Sequence, residues 1–283
     1  MKALLLYSDK TGFVKSDKYY DKIVKTLAIK YEVASKLCNS IEELRQCAIS
    51  AYESFDVLLV AGGDGTLNAV INAIAPLKES QRPIIGYIPC GTMNDAGKSY
   101  GINSSIRKAL KIILKGNVVE SDIGKCNDKY FLYLLAVGKY SDISYKVGRK
   151  YKKRIGKLAY YNLAFKEAFR KSEIDVEINA NGVEIKKRIP FLLILNGNYA
   201  GGFKVNKKGS INDGLLDVFI SDLGPFNGLT NYAFHKKKVA QYQCSKLDVE
   251  LKQEACWCSD GEPLIAKHVE VSCLPKHIKM LVK

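Results

Sequence analysis

Over the first 122 residues, short compact apolar runs alternate with runs whose apolar residues recur at helical spacing. Lys2–Tyr7, Glu32–Leu37, residues 56–61 and Ile84–Pro89 read as strands, the third of them apolar enough to be central and fully buried. Between them, Ile23, Leu27 and Tyr31 mark a helix over 20–31, residues 41–52 carry a second stripe, and 66–75 reads as a helix that Pro76 stops. Residues 104–115 predict one more helix, with Gly116 as its C-terminal stop. Such alternation predicts a parallel sheet with crossover helices, a doubly wound α/β domain over 1–122.

Beyond residue 122 the rhythm changes to many short runs rich in β-branched and aromatic residues. They are 129–137, Ile174–Ala180, Val183–Ile189, Phe191–Leu195, 215–221, 247–251 and 269–273. Asn181-Gly182 joins two of them with the signature of a two-residue hairpin. The pattern predicts a mainly antiparallel β domain over 123–283, with helical segments at 155–169 and 225–238. The final run, 278–282, is free on this pattern to return to the first domain. Tandem repeats, low-complexity tracts and a disordered linker are absent from the sequence.

Composition adds a partner. A 47% apolar content suffices for real cores and rules out a disordered or collagenous chain, and the formal charge of +15 points to something acidic. The charge is uneven, with 16 basic and 13 acidic residues in 1–122 but 28 and 16 in 123–283. Lys146, Arg149, Lys150, Lys152, Lys153, Arg154 and Lys157 crowd one short stretch. That density suits nucleic acid, an anionic membrane or a phosphorylated substrate, and is also met on ordinary solvated faces. The longest apolar runs fall far short of the roughly 20 residues that span a bilayer, and the N-terminus lacks a signal-peptide core. The chain reads as cytoplasmic, and its eight cysteines, without a C-x-x-C pair, as reduced and structural.

Two strand–turn–helix junctions carry the chemistry. Gly62, Gly63, Asp64, Gly65 and Thr66 follow the buried strand at its carboxyl end, where open α/β sheets bind ligands. Glycines let a polyanion approach the backbone, the helix N-terminus favours phosphate, and Thr66 is placed to cap. The spacing is neither a Walker loop nor a dinucleotide fingerprint. An aspartate there is unfavourable beside phosphate unless Mg²⁺ intervenes or the carboxylate holds neighbouring backbone. The second junction, Pro89-Cys90-Gly91-Thr92-Met93-Asn94-Asp95, repeats the Gly-Thr pair after a strand.

In this order, G-G-D-G-T and P-x-G-T-x-N-D resemble the diacylglycerol kinase catalytic-domain family, which includes bacterial lipid kinases and sphingosine kinases. Gly156-Lys157-Leu158-Ala159-Tyr160, Asn196-Gly197-Asn198 with Gly201-Gly202, the run from Asn212 to Val218, and Asp260-Gly261-Glu262 extend the likeness over nearly the whole chain. The resemblance implies an α/β nucleotide domain similar to phosphofructokinase and NAD kinase, followed by a β-sandwich lipid domain. It implies that Gly62, Gly63, Asp64, Gly65, Thr66, Asn68, Gly91, Thr92, Asn94 and Asp95 serve ATP, and that Asp64 and Asp95 organise Mg²⁺. It further implies a structural Mg²⁺ site at Asp213 with backbone groups of Leu216 and Val218, and a general base at Glu262 or, second, Asp260. One departure stands at the start, where Tyr7-Ser8-Asp9-Lys10-Thr11-Gly12 replaces the family's N-P-x-[SA]-G.

The resulting expectation is an ATP- and Mg²⁺-dependent kinase of a lipid hydroxyl, diacylglycerol or a related membrane lipid, peripherally attached to an anionic membrane through the 146–157 cluster. A homodimer is compatible with this reading. The alternatives are NAD kinase, which shares G-G-D-G-T, and a non-catalytic lipid- or nucleotide-binding protein of the same fold. Specific nucleic-acid binding is not expected, because no recognition-helix, zinc or ribonucleoprotein pattern accompanies the charge.

Overall fold

The computed structural model describes residues 1–8, 17–91, 93–102, 105–138, 173–222 and 239–283. The expected helices at 155–169 and 225–238 lie outside them. The first unit comprises Met1–Ile123 with Pro275–Lys283, and the second Gly124–Leu274.

In chain order the first unit contains β1 (Lys2–Tyr7), α1 (Asp17–Leu27), β2 (Glu32–Leu37), α2 (Ile41–Ser50), β3 (Val57–Gly62), α3 (Asp64–Ile74), β4 (Ile84–Pro89), α4 (Asp95–Ser99) and α5 (Ile106–Lys115). Strands β2, β1, β3 and β4 lie side by side in that order, all parallel. Alternate residues of each central strand leave opposite faces. Ala3, Leu5, Val57, Leu59 and Ala61 pack with Ile23 and Leu27 of α1 and Leu110 and Ile113 of α5. Helices α2 and α3 pack on each other, and α3 on β3. This is the doubly wound layer. Tyr31 ties α1 to α5 by donating its buried hydroxyl to the Ile113 carbonyl at 2.9 Å. Gly116 ends α5 in the left-handed conformation that its lack of a side chain permits.

Several boundaries differ from those the sequence predicts, and two of the differences bear on the site. Helix α3 starts at Asp64 with Gly63 as its cap, so Thr66 lies inside the first turn and is not the capping residue. The apolar run 129–137 is two strands, for a reason that emerges at Asp260 below.

The second unit is antiparallel. After β5 (Asn117–Cys126), which begins in the first unit, come β6 (Lys129–Phe131), β7 (Leu134–Gly138), β8 (Ile174–Ala180), β9 (Val183–Ile189), β10 (Phe191–Leu195), the small hairpin β11 (Tyr199–Ala200) and β12 (Phe203–Lys204), β13 (Leu216–Ser221), β14 (Val239–Cys244), β15 (Lys246–Ser259) and β16 (Glu262–Val282). Asn181 and Gly182 both have positive φ, as the hairpin between β8 and β9 requires. Leu135 and Val137 of β7, Leu192 and Ile194 of β10, and Val218 and Ile220 of β13 form one core with Val176 and Ile178 of β8, Leu247 and Val249 of β15, and Val269 and Val271 of β16. Trp257, fully buried, lies in the same core and donates its indole N–H to the Ala266 carbonyl at 3.3 Å. Strand β15 serves both layers, because its first half pairs with β8 and its last residues with β7, across an irregularity between Glu250 and Ala255.

The end of β16 lies in the first unit, where Met280 pairs parallel with Ile85 of β4. The Lys276 N–H donates to Asp122 Oδ1 at 2.7 Å, and Arg82 Nη1 to the His277 carbonyl at 2.6 Å. His277 Nε2 donates in turn to the Ala75 carbonyl at 2.9 Å.

Leu192→Ala, in the fully buried middle of β10, is expected to cost about 2–5 kcal/mol, read from urea unfolding of the second unit by the fluorescence of Trp257. Burial holds the His277 imidazole below its ordinary 6.5, so the unfolded chain takes up a proton before the folded one does. Stability is therefore fully present at neutral pH and declines as pH falls through 6.5. His277→Gln is expected to flatten that decline when urea midpoints at about pH 7.5 and 5.5 are compared by circular dichroism.

Candidate active site

The register Gly62↔Pro89 between parallel β3 and β4 makes the two glycine turns leave the sheet side by side at its carboxyl end. They then touch through backbone. A Cβ placed on Gly91 would lie 2.6 Å from the Cα of Gly63, a distance no real side chain tolerates. One placed on Gly62 would strike the side chain of Thr66 at 2.4 Å, so Thr66 rests against that α-carbon. Gly65 occupies the first turn of α3. The Cys90 N–H donates to the Gly62 carbonyl at 2.7 Å, joining the loops once more.

Asn94 holds the second turn in shape. It is buried and left-handed, accepts the Gly91 N–H on Oδ1 at 3.0 Å and donates Nδ2 to the Gly91 carbonyl at 2.8 Å. The Tyr87 hydroxyl lies 3.0 Å from both Asn94 Oδ1 and the Gly62 carbonyl. Burial, reinforced by the nearby Asp64, Cys90 and Asp95, pushes the Tyr87 phenol well above its ordinary range, so it stays a neutral donor. The sequence assigns Tyr87 no role; the one signal it offers is a hydroxyl inside an otherwise apolar strand.

Asp64 holds neighbouring backbone through one of its two carboxylate oxygens. Its Oδ1 accepts the Ala96 N–H at 3.1 Å, so the first loop caps the helix that follows the second. Asp95, at the start of α4 and almost wholly buried, pairs with Lys98 Nζ at 2.7 Å. Asn68 is buried one turn into α3, where its Oδ1 accepts Asn72 Nδ2 at 3.2 Å. The structure therefore groups Gly62, Gly63, Asp64, Gly65, Thr66, Asn68, Gly91, Asn94 and Asp95 at one end of the parallel sheet. Thr92 lies outside the described residues, as do residues 9–12 of the altered first turn and the whole cluster from Lys146 to Lys157.

In the second unit, Asp260 and Gly261, both at positive φ, are the two-residue turn between β15 and β16. The buried Asp260 carboxylate is a backbone clamp. Oδ1 accepts the N–H groups of Tyr133 at 3.0 Å and Leu134 at 2.9 Å, and Oδ2 accepts that of Leu132. The chain bends at 132–133 to make these bonds, which is why the predicted single strand is two. Glu262, by contrast, is exposed at the first position of β16.

Asp213 is exposed and accepts the Leu215 N–H on Oδ1 at 3.1 Å. Leu216 pairs with Cys244 of β14, and Val218 lies between Ile194 of β10 and Tyr242 of β14. Two residues along from Leu215, Asp217 is buried; Asn206 Nδ2 donates to its Oδ2 at 2.6 Å and Gln241 Nε2 to its Oδ1 at 2.9 Å. Burial raises its carboxyl above the ordinary value, and the amide donors work against that rise.

Comparison with known proteins follows the same division. Residues 2–126 match the family model of the diacylglycerol kinase catalytic domain, and 140–282 that of the YegS C-terminal NAD kinase beta sandwich-like domain. A diacylglycerol kinase of Staphylococcus carnosus is 34% identical, over 80% of this chain and 79% of its own length. One from Staphylococcus aureus strain RF122 is 32% identical, over 86% of this chain and 79% of its own. The solved structure of a diacylglycerol kinase from Bacillus anthracis strain Sterne superposes with a TM-score of 0.82 at 24% identity, covering 100% of this chain and 97% of that one, and shares the fold. The chain belongs to the diacylglycerol kinase catalytic-domain family and is, by that membership, a lipid kinase.

Proposed function

We propose that the protein transfers the γ-phosphate of ATP, with Mg²⁺, to the hydroxyl of diacylglycerol or a closely related membrane lipid. The observation that carries this reading is the backbone contact of Gly63 with Gly91, which sets two glycine turns and two helix starts around one end of the sheet. Such an end, with positive helix dipoles and close backbone, suits a polyphosphate. The donor set fits Mg²⁺, since Asp64 and Asp95 offer the hard carboxylate oxygens it prefers. When bound, the ion supplies charge neutralisation at the phosphates. Asp213, with the backbone of Leu216 and Val218, is proposed as a second, structural Mg²⁺ site on the strength of the motif resemblance.

The chain's own residues then divide the work. Gly62 to Thr66 and Gly91 to Asn94 hold the phosphates, and Tyr87 with Asn94 keeps the second turn from relaxing. Glu262 takes the proton from the lipid hydroxyl and orients it for in-line attack on phosphorus. Asp260 positions Glu262, because its carboxylate is engaged by three backbone N–H groups and fixes the turn that carries Glu262. The basic run from Lys146 to Lys157 is proposed to hold the enzyme on an anionic leaflet, each charge adding on the order of 1 kcal/mol before salt screening.

The test is transfer of labelled γ-phosphate from ATP to diacylglycerol, a sphingoid base, phosphatidylglycerol, a polyprenol and NAD, the lipids in mixed micelles. Labelled diacylglycerol is expected; label only in NAD, or in nothing, overturns the assignment. Glu262→Gln is expected to lower kcat by about 10²–10⁴-fold with KM for ATP little changed and the thermal midpoint intact. Asp260→Asn is expected to lower both kcat and the thermal midpoint, because it removes one acceptor oxygen from the clamp. Gly91→Ala is expected to weaken ATP binding by forcing the two loops apart, measured by calorimetry with a non-hydrolysable ATP analogue. Binding to vesicles is expected to rise with anionic lipid content and fall with salt, and to be lost when the seven basic residues are changed to Gln.

A further inference from the structure

Away from the glycine loops and the Asp260 turn, three side chains with metal-binding donors meet on the outer face of the β15–β16 ladder. One atom from each of Asp248, His268 and Glu270 lies within 4.8 Å of the other two. The register explains the meeting: Asp248 stands opposite Glu270, and Glu250 opposite His268. Pleating sends His268 and Glu270, two apart, to the same side. His268 Nε2 approaches Asp248 Oδ1 to 2.7 Å, while Glu250 is turned to Lys267 Nζ at 2.8 Å.

Two features distinguish the trio from an ordinary charged face. Like charges directly opposed across a ladder destabilise it, and Asp248 faces Glu270 in that way. The backbone beneath both β16 donors is also fixed from outside the ladder. Asn127, in the left-handed conformation, donates its N–H to the Glu270 carbonyl at 3.0 Å and its Nδ2 to the His268 carbonyl at 3.3 Å, and accepts the Glu270 N–H at 2.9 Å. Asp248 and Glu270 further line a cleft of about 570 Å³ whose walls include Lys125, Asn127 and Lys246.

We infer that Asp248, His268 and Glu270 form a divalent-cation site, separate from the Mg²⁺ chemistry proposed above, that takes a borderline ion such as Zn²⁺. Bonds of about 2.0–2.1 Å in tetrahedral geometry set donor atoms about 3.3 Å apart. The His268–Asp248 pair, at 2.7 Å, needs to open slightly, which half-exposed side chains achieve by rotation alone, and all three donor atoms already lie within 4.8 Å of one another. The imidazole nitrogen selects against Mg²⁺ and Ca²⁺, whose ligands are oxygens. The bound ion neutralises the opposed carboxylates and cross-links β15 to β16, and its fourth position faces solvent for water or an anion.

The test uses the full-length protein, reduced and with saturating Mg²⁺, titrated with Zn²⁺ by calorimetry. Zn²⁺ binding is expected to weaken by roughly tenfold or more in His268→Gln and in Asp248→Asn, and to be unaffected in His277→Gln. The ring resonances of His268 in the unaltered protein are expected to shift on Zn²⁺ addition, and ¹¹³Cd bound in place of zinc to resonate in the nitrogen–oxygen range. The ring signal keeps the test valid if a variant folds poorly. Unchanged Zn²⁺ affinity in His268→Gln, a cadmium signal in the thiolate range, or no binding at all overturns the inference and leaves Asp248–His268 as an ion pair.

Discussion

Gly91 lies so close to Gly63 that it has no room for a single added carbon, and the architecture of this end of the parallel sheet follows from that contact. Parallel β3 and β4 are separated by the ordinary spacing of neighbouring strands, so the turns leaving them meet this closely because Gly91 has no side chain at the meeting point. Once they meet, the Cys90 N–H reaches the Gly62 carbonyl and the buried Tyr87 hydroxyl reaches both turns. Asp64 can then cap the helix that begins at Asp95. A rigid pair of loops results, which is the condition for holding a charged phosphate chain without reorganisation.

Several carboxylates of this protein are engaged by main-chain N–H groups. Asp64 holds the Ala96 N–H, Asp122 the Lys276 N–H, and Asp260 three successive N–H groups. Burying a charge is costly unless hydrogen bonds replace its water, and main-chain N–H groups at bends need acceptors for the same reason. Each need answers the other. In the Asp260-Gly261-Glu262 turn this separates two acidic neighbours into a fixed anchor and an exposed carboxylate, consistent with the positioning and proton-accepting roles proposed for them.

The β unit shows a comparable economy. Strand β15 pairs with β8 along its first half and with β7 at its end, so one strand serves both layers that enclose Trp257. Strand β16 continues past the limit of this unit, and its last residues complete the parallel sheet beside β4. Along the shared ladder the outer face gathers Asp248, His268 and Glu270, residues with no part in the core.

Local sequence determined most of the elements and both glycine loops. Strands β1, β2 and β4, helix α2 and the Asn181-Gly182 hairpin follow from period and turn chemistry, forces that act within a few residues. The junction motifs were legible for the same reason, since in each the strand end, the glycines and the helix start follow one another in immediate succession. Only the tertiary structure decided what depends on distant partners. The break at Leu132–Tyr133 exists because of a carboxylate far along the chain, and the uses of Asp64 and Asn94 depend on a loop–loop contact that spacing does not reveal. Strands β15 and β16 run well beyond the short apolar segments 247–251 and 269–273, because pairing between strands sustains them through polar outward positions that carry no hydrophobic signal. The trio at Asp248 is the clearest case, as two strands bring its members together and only their register sets them face to face.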